Sequence, residues 1–159
     1  MKVLIIYSSK HTAATKFAQM VASRLENADL CNLRVEPAPD LSPYRQVVLG
    51  SSIYMGKFSK KIRKFAKSRE EELVKKDLYL FTIGGLVDKY KAAVKQSLPT
   101  TLFDKSHLIV YGGYAYYFEK MNWLEKLVAR MTGIKETTEN LKEDQAEILA
   151  EAVLKLSSK

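Results

Sequence analysis

Lys2-Val-Leu-Ile-Ile-Tyr7, followed at once by Ser8-Ser-Lys-His-Thr-Ala-Ala-Thr15, decides the fold. The first of these segments is a short apolar run rich in β-branched side chains, the pattern of a strand covered on both faces. The second is small, polar and rich in hydroxyls. Beyond it Ala14, Phe17, Ala18, Val21, Ala22 and Leu25 recur at helical spacing and make an apolar stripe able to lie on a sheet. Strand, loop and helix together form one β-loop-α unit.

The alternation continues along the chain. Asp29 to Leu33 reads as a weak strand, Gln46-Val-Val-Leu-Gly-Ser51 as a strong one, and Phe58 to Glu72 as a highly basic helix. Leu78 to Ile83 is another buried-strand run ending at Gly84-Gly85, Lys89 to Gln96 a short helix, and Leu108 to Tyr111 a final strand ending at Gly112-Gly113. Helices around Trp123 to Met131 and from Leu141 to Leu156 close the chain. Five strands separated by helical segments predict an α/β three-layer sandwich, a five-stranded parallel sheet with helices on both faces. Pro37, Pro39, Pro43 and Pro99 fall in predicted loops, where no ladder hydrogen bond is lost. Asn32 to Tyr44 is the one long connection. A length of 159 residues suits a single domain.

Composition narrows the chemistry. The longest purely apolar stretch, Val3 to Tyr7, is far short of the roughly 20 residues a membrane-spanning helix needs. Lys2 followed by a strand-like run is not a signal peptide, so a cytoplasmic location is expected. One cysteine, Cys31, and two histidines, His11 and His107, argue against a disulfide, a zinc site or an iron–sulfur cluster. The excess of 26 basic over 18 acidic residues, a net charge of +8, favours an anionic partner. Nothing in the sequence resembles a nucleic-acid-reading motif, and no nucleic acid is expected.

In an open parallel sheet, ligands bind beyond the carboxyl ends of the strands. That rule selects three loops. The first holds Ser9, Lys10, His11, Thr12, Ala13, Ala14 and Thr15, and such a loop can aim backbone N–H groups, hydroxyls and the positive end of a helix dipole at a phosphate. The same Ser and Thr residues also suit plain helix capping. The second, Gly50-Ser51-Ser52-Ile53-Tyr54-Met55-Gly56-Lys57-Phe58, combines small residues with side chains suited to covering a flat ring. The third, Thr82-Ile83-Gly84-Gly85-Leu86-Val87-Asp88, offers backbone freedom where a carbonyl or N–H must turn toward a ring heteroatom. Tight packing at the second and a simple turn at the third are the plainer readings.

With these loops in view, the chain resembles the flavodoxin superfamily, and within it the flavodoxin-like menaquinone-dependent protoporphyrinogen oxidase family. The likeness runs from Lys2 to about Leu156. It rests on Tyr7-Ser-Ser-Lys10 and the helix after it, on Gly50-Ser-Ser-Ile-Tyr-Met-Gly56, and on Gly112-Gly-Tyr-Ala-Tyr-Tyr-Phe-Glu-Lys-Met-Asn-Trp-Leu-Glu-Lys-Leu-Val-Ala-Arg-Met-Thr-Gly133. The resemblance implies a strand order 2-1-3-4-5 and an FMN cofactor. It implies that Ser9 to Thr15 meets the FMN phosphate while Ser51 to Gly56 and Thr82 to Gly85 flank the isoalloxazine. The sequence departs from the family pattern at Thr12 and Ala14, where glycine and threonine are usual. A β-branched Thr12 costs about 1–2 kcal/mol if that position is left-handed.

The activity the resemblance implies is an FMN oxidoreductase passing electrons from a planar anionic substrate, such as a porphyrinogen, to a quinone. A soluble one-electron carrier and a module that has lost flavin are the alternatives, and the basic balance counts against the first because carriers of this family are typically acidic. The cations Lys57, Lys60, Lys61, Arg63, Lys64 and Lys67 are placed to attract a carboxylate, or simply form a solvated helix face with Phe58, Ile62 and Phe65 as its buried stripe. The helix near Trp123, with Leu124, Leu127, Val128 and Met131 on one side, suits peripheral contact with a membrane surface. Packing of its apolar side on the sheet is the simpler expectation.

Overall fold

The computed structural model of the protein describes residues 2–9, 11–134 and 136–158. Its elements run β1 (Val3–Ser8), α1 (Ala13–Ala22), β2 (Ala28–Asn32), β3 (Gln46–Tyr54), β4 (Lys57–Phe58), α2 (Lys60–Ser68), α3 (Glu70–Leu73) and β5 (Asp77–Ile83). They continue α4 (Tyr90–Ser97), α5 (Thr100–Lys105), β6 (Leu108–Tyr111), β7 (Gly113–Tyr116), α6 (Trp123–Met131), β8 (Thr138–Leu141) and α7 (Glu143–Ser157). Strands β2-β1-β3-β5-β6 pair in that order, all parallel, so the predicted five-stranded sheet and its order are observed. Two features lie outside that expectation. β4 folds back antiparallel on the end of β3, and β7 pairs antiparallel with β8 in a separate two-stranded sheet.

Because side chains alternate along a strand, each central strand feeds two cores. Val3, Ile5 and Tyr7 of β1, Val48 of β3 and Tyr79, Phe81 and Ile83 of β5 pack under α1 and α7. Leu4 and Ile6, Val47 and Leu49, and Leu78 and Leu80 face the opposite way, toward α2, α3, α4 and α5. Both faces of the sheet are thereby closed.

The predicted helix from Phe58 to Glu72 is two helices. Phe58 belongs to β4, the hydroxyl of Ser59 caps α2 by accepting from the Ile62 N–H, and the chain bends at Arg69 before α3. The predicted Leu141 start of the last helix is also displaced. Leu141 pairs with Gly113 in β8, and α7 starts at Glu143. Helix α5, behind Pro99, was not foreseen. No helix bridges β2 and β3, where Pro37, Pro39 and Pro43 cannot donate the backbone bonds a helix needs. Leu41 and Tyr44 of that connection enter the core directly, and Tyr44 Oη donates to Asp29 Oδ2 at 2.6 Å, a bond that pushes the phenol up to about 12.

Gly50, in the middle of β3, shows how closely the sheet and its covering layer fit. A Cβ at that position would lie 2.1 Å from the ring of Phe81 on the paired strand β5, which is fully buried and meets the tilted ring of Phe17 of α1 at 5.0 Å between centres. Gly50→Ala is therefore expected to destabilise the fold by about 3 kcal/mol, the upper range for overpacking, in urea unfolding. A Phe81→Leu background should return part of that loss.

Candidate functional site

The chain leaves β1 at a carboxyl edge with both faces of the sheet already covered. Ser8 and Ser9 are buried there, and Asn32, at the end of the neighbouring β2, holds Ser9 by its backbone. Its Oδ1 accepts from the Ser9 N–H at 3.2 Å, and its Nδ2 donates to the Ser9 carbonyl at 3.4 Å. The hydroxyl is left over. Ser9 Oγ is, among the described residues, the buried side-chain polar atom with no hydrogen-bond partner, a state that costs about 1–3 kcal/mol unless something fills it.

Helix α1 starts four residues on, at Ala13, and no side chain caps it. The N–H groups of its first turn have no carbonyl within the helix to bond and carry the positive end of the macrodipole. Thr12, just ahead, has φ 71, the left-handed conformation that the sequence singled out as costly for a β-branched residue. An unpartnered buried hydroxyl, an uncapped helix start and a strained turn fall within the five residues from Ser9 to Ala13. These residues fit a phosphate group.

Two groups that the sequence did not bring here come from the excursion between β7 and β8. His11 Nε2 is hydrogen-bonded to the Glu125 carboxylate of α6, and Lys120 Nζ lies 3.5 Å from Thr12 Oγ1. No sequence spacing announces either contact, since each crosses more than a hundred residues. Below them Lys16 sits over the ring of Tyr117 at 4.7 Å and pairs with Glu139 of β8 at 3.2 Å. Tyr117 Oη donates to the same Glu139 carboxylate at 2.9 Å, and that bond, with Lys16 second, holds the carboxyl below its usual range.

The second predicted loop is a hairpin. β3 runs on to Tyr54, turns at Met55 and Gly56 with φ of 53 and 77, and returns as β4. Positive φ at both central residues is the geometry of a type I′ turn. Tyr54 and Met55 are exposed at its tip, 64% and 81%, while Ile53 beneath them is half-buried. Ser51 Oγ is committed within the protein, donating to the Ser52 carbonyl and accepting from the Ser59 N–H. The third loop begins at Gly84 and Gly85, with φ of 79 and 72. A Cβ on Gly85 would meet the Ile53 side chain at 3.2 Å, so the second and third loops touch. Behind them Tyr111, Tyr114, Tyr116, Leu86 and Lys142 line an open cleft of about 400 Å³. Burial raises the Tyr111 and Tyr116 phenols, which therefore stay protonated and neutral.

Of the predicted contact residues, Ser9, His11, Thr12 and Thr15 gather at the β1–α1 turn, and Ile53 meets Gly84 and Gly85. Ala13, Ala14 and Ile83 turn their side chains into the core, and Thr82 Oγ1 donates to the Val110 carbonyl, leaving these positions only backbone groups to offer a ligand. Ser51 is in the same position. Ser52 is half-buried beside it, and Lys10 lies outside the described residues.

The family model for the flavodoxin domain matches residues 4–144. This chain belongs to that family. No curated protein matches the sequence. Among solved structures, flavodoxin 1 from Bacillus cereus is 13% identical, with 99% of this chain and 98% of that one covered at a TM-score of 0.59. Fusobacterium nucleatum flavodoxin bound to flavin mononucleotide is 12% identical over 69% of this chain and 68% of that one, TM-score 0.51. Rubredoxin oxygen:oxidoreductase from Desulfovibrio gigas is 12% identical over 97% of this chain at 0.61, but the match spans 36% of that longer protein. At these identities the likeness is one of fold.

Two outcomes test the local physics of this flavodoxin domain. Thr12→Gly is expected to raise stability by about 0.5–1 kcal/mol, the relieved left-handed strain less the freedom glycine adds to the unfolded chain, as read from urea midpoints. The Glu139 carboxylate contributes stability above its unfolded pKa and loses it as pH falls through its lowered native value. Tyr117→Phe should bring that carboxyl back up toward the ordinary range in a carboxyl-carbon NMR titration, moving acid loosening of the β7–β8 sheet to higher pH.

Proposed function

We propose that this flavodoxin domain is an FMN-dependent oxidoreductase. One observation carries the reading: a buried Ser9 hydroxyl with no partner in the turn that leads from β1 to the uncapped start of α1. Membership of the flavodoxin family and the FMN in the Fusobacterium nucleatum relative support FMN as the cofactor. The phosphate would be held by the Ser9 hydroxyl and the N–H groups of Ala13, Ala14 and Thr15, with the Thr15 hydroxyl beside them. The hairpin from Ser51 to Gly56 and the turn from Thr82 to Gly85 would serve the ring. When bound, FMN supplies the capacity to take and release electrons, and the protein's part is to bind it, orient it and shape access.

No side chain is assigned as a general acid or base. Asn32 fixes the Ser9 backbone, so that its hydroxyl is presented without further ordering cost. Lys57, Lys60, Lys61 and Lys64, exposed beside the second loop, favour an anionic substrate over a neutral one. Such a substrate would be planar and carboxylated, a porphyrinogen being the form that the Gly112–Gly133 segment suggests, with a quinone as acceptor.

Purified protein should be yellow, with a released chromophore that is FMN. Ser9→Glu, which places a like charge against the phosphate, should yield colourless but folded protein. A Ser9→Glu variant retaining full FMN removes the assignment of this turn, and wild-type protein that stays colourless after soaking in FMN removes the flavin reading. Anaerobic oxidation of protoporphyrinogen with a menaquinone analogue separates the proposed enzyme from a simple carrier, which would show no turnover.

A further inference from the structure

Helix α6 does not pack its apolar side on the sheet. Of its residues only Ala129 is buried. Trp123, Leu124, Leu127 and Met131 are 77%, 53%, 49% and 79% exposed. At 3.6 residues per turn, Trp123, Leu127, Met131, Leu124 and Val128 share an arc of roughly 140°. The opposite side of the helix carries Ala129 and Glu125, the latter paired with His11. The apolar arc is therefore directed away from the body of the protein. It is not frayed chain: Asn122 and Glu125 form a reciprocal capping box that fixes the helix start.

Cations border that arc. Lys126 and Arg130 stand next to Trp123 on the wheel, held over the ring of Phe118 at 5.3 and 5.4 Å, and Lys120 lies one turn before. Glu125, the acidic residue of α6, is turned toward His11 rather than toward the arc. A short helix with an outward Trp/Leu/Met face and flanking Lys and Arg, in a chain of net charge +8, matches the chemistry of an anionic lipid surface. An apolar protein partner or a second copy of a cationic chain lacks that charge match.

We infer that α6 is a docking helix for an anionic bilayer, lying in the plane of the headgroups with Trp123, Leu124, Leu127 and Met131 inserted. No helix among the described residues is long and apolar enough to cross a membrane, so the contact is peripheral. Because α6 is tied to the β1–α1 turn through Glu125, and the stretch just before it through Lys120, docking brings the carboxyl edge of the sheet to the lipid surface. The inference stands on α6 itself and not on the flavin reading, since lipid binding is measured whether or not the protein is yellow.

Trp123 is the single tryptophan, so its emission reports α6 without labelling. Wild-type protein is mixed with phosphatidylcholine vesicles, with and without phosphatidylglycerol. The expected result is a blue shift and co-sedimentation with the phosphatidylglycerol vesicles, weakening as salt is raised. Leu127→Glu, at an exposed position that leaves the fold intact by far-UV circular dichroism, should reduce binding at least about tenfold. Lys126→Gln with Arg130→Gln should weaken it about 25-fold. Unshifted emission with protein left in the supernatant overturns the inference. So does equal binding to vesicles lacking phosphatidylglycerol, or a lipid-independent blue shift that tracks dimer formation in sedimentation equilibrium.

Discussion

The burial of the parallel sheet on both faces is the constraint on which the rest depends. Once α1 and α7 cover one side and α2 to α5 the other, polar chemistry has no place within the layers and moves to the ends of the strands. Inside, Gly50 leaves the space that the ring of Phe81 fills. At the edge the opposite holds. Ser9 keeps a hydroxyl that the protein does not use, and α1 keeps an open end. The interior is satisfied and the rim is left wanting a ligand, a contrast that separates a binding edge from a mere end of secondary structure.

Much of this was legible in the sequence because the strands are short apolar runs with little ambiguity. Val3 to Tyr7, Gln46 to Ser51 and Leu78 to Ile83 have no reading other than buried strand, and parallel order follows from the helical spacing between them. The sequence marked Thr12 as costly only if its position were left-handed, and the turn does hold it there at φ 71. What escaped was antiparallel. β4 is two residues long and β7 and β8 four each, too short for periodicity to register. Gly112-Gly113 read as the end of a strand when Gly113 in fact starts another.

The candidate site divides in the same way. Ser9, Thr12 and Thr15 were found because they follow a strand, and the rule about carboxyl ends is local. Asn32, Lys120 and Glu125 were missed because their contribution is long-range: Asn32 is aligned with Tyr7 by the register of β1 with β2, and the other two arrive on the excursion after β7. Helix α6 illustrates the limit of amphipathicity as a guide. Its apolar stripe suits either a membrane surface or the sheet, and packing on the sheet is the commoner outcome for such stripes. A stripe states that one side avoids water but not which neighbour it finds, and here the protein's own contacts use the other side.

The segment from Gly113 to Leu141 leaves and rejoins the main body at one point. Gly113 pairs with Leu141, the Lys142 N–H donates to the Gly112 carbonyl at 2.9 Å, and a Cβ on Gly113 would lie 2.1 Å from the Asn140 carbonyl oxygen. Entry and exit are thus stapled together, while Ala115 and Tyr117 just inside the staple still pack into the core under α1 and α7. The glycine at the junction is the position least open to a side chain, because any Cβ there strikes the backbone of the returning strand.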